Sequence, residues 1–258
     1  MGPTWKKEYL DFVLVPGGLL VMLGYHLFHL HRCINRAETT VVGYENYNRR
    51  VWVSRVLESL QVEVKDRDQA LTVMGNYLSA AMSLASIALA LSSFIGAWIG
   101  STYHGEVLGA RVYGNTSSTM VYIKYVAILS SFMIAFACFV HAATSFLHAG
   151  FLISLPNCVM PPGNVESAVI TGSNFWVVGL RSLYLATNLL LWIFGPIPMF
   201  VSSVITVVLL QYLDRNSIPF PQYDRPQSYD SFKKIDDREE SGDSLNGTSS
   251  LLPTPLRT

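Results

Sequence analysis

Histidine and cysteine are the residue types in this chain best suited to chemistry, and four of them fall in one short stretch: His26, His29, His31 and Cys33. His26 and His29 stand three apart, so on a helix both imidazoles leave one face and could converge on a metal ion. A zinc or haem site needs further ligands, which His141 or His148 would supply from a later apolar run. An ionisable residue at membrane depth is a functional-site hypothesis by default. The simpler reading makes these histidines amphipathic groups near an interface, bonded to neighbours, backbone or water. It leads, so no metal, haem or other cofactor is expected. Asp66, Asp68 and Asn76 lack the spacing and terminal Glu of a calcium loop. There is no nucleotide loop, metalloprotease helix, serine nucleophile elbow or carboxylate pair at membrane depth. Three cysteines make no disulfide framework, and Cys138 reads as a small buried side chain.

The elements that must position these residues are apolar. Half of the 258 residues are hydrophobic and 14% are charged, against about 25% charged in typical soluble domains. The net charge is zero, so no global field points to nucleic acid. Charges cluster and leave four long apolar runs, with Asp11 at the edge of the first and Lys124 near the start of the third. The first, 10–30, contains Pro16-Gly17-Gly18 and should kink there. The second, 76–98, sits in a stretch with no Asp, Glu, Lys or Arg between Asp68 and Glu106. The third, 122–147, runs on toward Pro156, and as one helix to residue 155 it would reach roughly 50 Å. The last, 183–213, is interrupted by Gly195-Pro196-Ile197-Pro198 and is read as one sharply kinked helix. The fold class that follows is an all-α integral membrane domain, residues 1–215, with four transmembrane helices and short amphipathic helices at 38–68 and 164–179. Residues 216–258 are rich in Pro, Ser and charge, and are expected to be a disordered tail.

Small residues in the second run are patterned. Ser79, Ser83, Ser86, Ala90, Ser93 and Ala97 follow a 3-4 spacing that lines one seam of a helix. Ala81, Ala85, Ala88, Ser92 and Gly96 make a second small face. Small residues let helix backbones approach closely in lipid, so helix neighbours are expected on both sides, with the bulky sector toward lipid.

Several motifs resemble one plant family. They are Tyr25-His26, Thr40-Val41-Val42-Gly43, Arg49-Arg50-Val51-Trp52-Val53, and His148-Ala149-Gly150-Phe151-Leu152 with Pro156. The longest is Gly179-Leu180-Arg181-Ser182-Leu183-Tyr184, running into Leu191-Trp192-Ile193-Phe194-Gly195-Pro196-Ile197-Pro198-Met199. Together they are similar to the plant membrane proteins catalogued as domain of unknown function number five hundred and ninety-nine. The resemblance covers roughly residues 5 to 214 and implies a four-helix integral membrane protein. Two positions depart from the family pattern: Gly75-Asn76 stands where an Arg-Asn pair is usual, and Asn188 where a proline is usual.

Four spans would put both termini on one side, with the loop 101–121 and the sequons at Asn115 and Asn246. The connector 32–75 would lie opposite, and Arg32, Arg36, Arg49, Arg50, Arg55, Lys65 and Arg67 favour the cytosol for it. The expected function is a non-enzymatic scaffold or regulator that meets membrane-protein partners, or further copies of itself, within the bilayer. A small-solute transporter or channel subunit is the second reading. A histidine-dependent membrane enzyme or haem protein using His26, His141 and His148 is the third.

Overall fold

In a layer without water, each segment must satisfy its own backbone N–H and C=O groups, and the helix is the single-segment solution. The computed structural model describes residues 8–59, 64–102, 118–155 and 162–218, and the first three apolar runs each lie within one helix while the last is shared by two. The helices are α1 (Glu8–Asn35), α2 (Val41–Ser59), α3 (Val64–Thr102), α4 (Ser118–Ser154), α5 (Pro162–Leu191) and α6 (Pro196–Leu213), with a short 3-10 helix at Ala37–Thr39. Among the described residues the only extended pairing is one antiparallel bridge, Thr40 to Arg215. Four helices are long and apolar enough to cross a membrane, over Asp11–Asn35, Asp66–Trp98, Thr119–Ser154 and Pro196–Leu213. At 39 and 37 residues, α3 and α4 outrun an apolar core of about 30 Å by more than 20 Å. The overhang forms a helical cap with α2 and the first turns of α5. There Val53, Met74, Phe146 and Val165 share one core, Arg50 pairs with Glu166 at 3.2 Å, and Asn46 donates to Asn174.

The packing of α4 on α5 is keyed by glycine. A β-carbon at Gly172 would lie 2.8 Å from the Phe146 ring, and one at Gly179 would lie 2.8 Å from Phe139. Both glycines and both rings stand seven apart, so each turn pair repeats the same ring-in-notch contact on antiparallel helices. On α3 the face toward α4 is the second small one: Ala81, Ala85, Ala88 and Ser92 are buried. Ser79, Ser83, Ser86, Ala90, Ser93 and Ala97 are exposed. Of the two small faces on which helix neighbours are expected, one packs against α4 and the other is exposed in the single chain.

Two expectations about the last third of the chain are overturned. The separate amphipathic helix at 164–179 is the first half of one continuous α5. The run 183–213 is not a kinked helix either. Four 3-10-type bonds from Trp192 to Gly195 tighten the end of α5, and Gly195, at φ 141°, turns the chain into α6. That backbone region is essentially reserved for glycine, and Pro196 then starts α6, where a missing N–H costs nothing. The reversal is certified by side chains. Asn188 meets Thr206 and Arg181 meets Asp214, pairs whose numbers run in opposite directions along the two helices. The sequence pattern misled because Arg181 argues against a span, yet helix neighbours on several sides shield α5 from lipid.

The hairpin changes where the chain ends. Asp11, at the start of α1, accepts from Trp192 at the α5–α6 turn. Tyr25, farther along α1, reaches Asp214 at the end of α6. Thus α1 and α6 run parallel, and the start of α1 and the end of α6 lie at opposite ends of the bundle. The expectation that both termini share a side concerns residues 1–7 and 219–258, which lie outside the described residues. Asn216, assigned to the tail by composition, is also folded: its N–H donates to Thr39 and its side chain to Glu38. Residues 219–258, with Asn246, and the loop with Asn115 lie outside the described residues.

Candidate functional site

Asp214, one residue past α6, is the hub of a polar cluster that joins α1, α5 and α6. The positions 25, 29 and 33 of α1 stand four apart and so share one face. From that face the Tyr25 hydroxyl donates to Asp214 Oδ2 at 2.6 Å, and His29 Nδ1 lies 3.5 Å from the same oxygen. Arg181 of α5 places one nitrogen between both carboxylate oxygens, at 2.9 and 2.8 Å. Its other terminal nitrogen is 3.4 Å from His26 Nδ1. An arginine can only donate, so Nδ1 accepts and the proton of His26 sits on Nε2. That atom is buried and has no partner among the described residues. Arg181 and Asp214 are 16% and 14% exposed, so their attraction is little screened.

Backbone bonds lock the cluster to the connector. The Asp214 carbonyl accepts from the Val41 N–H, an otherwise free donor at the start of α2. Thr40 caps the same end: its hydroxyl accepts from Gly43 N–H and donates to the Ala37 carbonyl. A β-carbon on Gly43 would collide with that same carbonyl. One clasp thus ties α1, α2, α5 and α6 together where the described part of the chain ends.

Two smaller polar contacts join the same helices at other levels. Asn188, 2% exposed, donates to Met22 Sδ at 3.0 Å and accepts from Thr206 at 3.3 Å. At the opposite end Trp192 donates to Asp11, and Lys124 of α4 sits 5.3 Å above the Trp192 ring. The two buried charges therefore flank one indole.

The order Cys33, His29, Asp214 is that of nucleophile, base and orienting carboxylate, with Cys33 Sγ 3.2 Å from His29 Nε2. Charge decides against reading it as a nucleophilic site. Asp214 is already neutralised by Arg181 and takes its shortest bond from Tyr25, leaving little to stabilise an imidazolium. The histidines are not brought together as ligands. His26 faces Arg181, His141 stacks on Phe175 at 5.0 Å, and His148 lines an open groove of about 600 Å³ between α4 and α5. Among the described residues no three His, Cys, Asp or Glu side chains could hold a metal ion. The sequence singled out the histidines but not Asp214, which lies beside His29. Its one clue was position: an acid directly after an apolar run must be charged, exposed or paired.

The fold and the clasp define a polytopic helical protein with four helices of membrane-spanning length and apolarity. More particularly, the chain belongs to the family described as "Protein of unknown function, DUF599", whose model matches residues 13–218. The match covers all six helices except the first five residues of α1 and takes in the whole clasp. No curated protein and no solved structure matches the chain.

Proposed function

We propose that this protein is a non-enzymatic membrane scaffold, and that the outer seam of α3 receives a partner's membrane helix. The supporting observation is the exposure of Ser79, Ser83, Ser86, Ala90, Ser93 and Ala97 on a helix whose other small face is packed by α4. Ser83, Ser86 and Ser93 each donate to the carbonyl four residues back. Their hydroxyls are satisfied at home, so the seam is smooth and shallow and permits close backbone approach. Leu at Ser83, Ser86 and Ala90 should shrink the complex extracted from native membranes while leaving the isolated chain as stable as before. An unchanged complex rejects the reading.

Transport of a small solute is the second reading. What favours it is the polar contacts at three levels between α1 and α5: Asp11 to Trp192, Met22 to Asn188, and the clasp. Polar side chains at membrane depth often mark pathways. Solute or ion flux into proteoliposomes that is lost in Asn188→Leu would favour transport over the scaffold.

A further inference from the structure

We propose that the groove between the C-terminal ends of α1 and α6 binds the phosphate of an anionic membrane lipid, held by Arg32 and Arg215. The groove is open, about 930 Å³, and its lining divides in two. Phe28, Val208 and Leu213 form the apolar part and are 55%, 60% and 62% exposed, as lipid-facing side chains are. Arg32, Gln211, Arg215 and Ser217 form the polar part, at the ends of the two spans, and Tyr212, with an apolar ring and a polar hydroxyl, stands between the two parts in character. A headgroup with attached acyl chains matches that division; a free anion would leave the apolar wall bare.

The charge balance favours an anion. Asp214 lies next to Arg215 in sequence, but its carboxylate is turned to Arg181, Tyr25 and His29. Among the described residues neither Arg32 nor Arg215 has a carboxylate within 4.0 Å. Arg32 donates one bond, to the Thr39 carbonyl, and lies 5.9 Å from the Phe28 ring centroid, so its guanidinium is aimed but not saturated. Helix dipoles oppose an anion here, since both helices end at the groove with about half a negative charge each. Those partial charges are partly capped, by Arg36 N–H on Arg32 and Asp214 N–H on Leu210. Two full guanidinium charges outweigh them, and guanidinium matches phosphate oxygens two at a time.

The test uses the full chain in detergent, with phosphatidylglycerol and phosphatidylcholine of the same acyl chains, read by native mass spectrometry. Wild type should retain phosphatidylglycerol preferentially. Each arginine near a membrane surface contributes about fivefold. Arg215→Gln should therefore weaken retention about fivefold, and the pair Arg32→Gln with Arg215→Gln about 25-fold. Because Arg32 also holds Thr39, Arg215→Gln alone is the cleaner variant; its side chain makes no hydrogen bond among the described residues. Arg215→Lys should retain most of the preference, and Arg50→Gln, on the cap, should change nothing. Equal retention of both lipids by wild type, or a preference that survives the double substitution, overturns the proposal. Displacement of the lipid by inorganic phosphate at equal concentration would assign the groove to free phosphate and overturn the lipid source.

Discussion

Removing the Asp214 carboxylate should be the most damaging single change to the clasp. Asp214→Ala takes away both Arg181 contacts at 2.9 and 2.8 Å and the Tyr25 contact at 2.6 Å. Among the described residues it leaves a guanidinium that is 16% exposed with only His26 Nδ1, at 3.4 Å, to accept from it. Arginine cannot shed its proton to escape. Orphaning one member of a buried pair costs about 3–5 kcal/mol. Coulomb's law agrees in scale: unit charges about 4 Å apart at an effective dielectric of about 20 attract by about 4 kcal/mol. Arg181→Met keeps the side-chain stem and leaves Asp214 its Tyr25 donor, so it should cost less, about 1–3 kcal/mol. Arg181→Met with Asp214→Leu removes both charges, and a hydrophobic replacement of a buried pair is often nearly neutral. The double variant should therefore be more stable than Asp214→Ala by a few kcal/mol. The assay is reversible denaturant unfolding of the purified chain in mild detergent, followed by tryptophan fluorescence. Single variants each costing under about 1 kcal/mol, with additive effects in the double, would refute the claim that this pair organises four helices.

Gly195→Ala should destabilise by about 1–3 kcal/mol, since φ 141° is closed to a residue with a β-carbon; a variant unfolding with wild type would remove the reason given for the hairpin. Ser92→Leu should lower stability by about 1–3 kcal/mol, because Ser92 is 4% exposed on the packed face of α3. The same denaturant assay should show Leu at exposed Ser86 within about 0.5 kcal/mol of wild type. Tags at the two ends of the chain should fall on opposite sides of the membrane, the C-terminal one with the α1–α2 connector. Protease protection in sealed vesicles checks this, and equal protection of both tags would contradict the antiparallel hairpin.

The helices were legible because apolar runs as long as a bilayer core have one structural solution. The α3–α4 packing face was half legible. Both small faces were visible in the spacing, but nothing local says which one meets α4 and which stays open. The hairpin was hidden because a Gly-Pro-Ile-Pro break is equally compatible with a kink and with a reversal. The deciding contacts, Asn188 to Thr206 and Arg181 to Asp214, are 18 and 33 residues apart. The clasp was hidden for the same reason: Tyr25 and Asp214 are separated by 189 positions. Gly179 and Gly172 carried a signal that was readable in principle, two glycines one heptad apart on a helix that must pack closely. Its meaning depended on the rings of Phe139 and Phe146 arriving at the same interval.

The scaffold reading rests on the outer seam of α3, and a photo-activated crosslinker placed there tests it most directly. Introduced at Ser86 in native membranes, it should give a discrete protein adduct. Introduced at Ile87, one position round the helix in the bulky sector and 51% exposed, it should give none. Discrete adducts from Ser86 alone are the predicted result, and their mass tells a second copy from another protein. No discrete adduct from Ser86, or the same adducts from both positions, would contradict a partner seated on the seam.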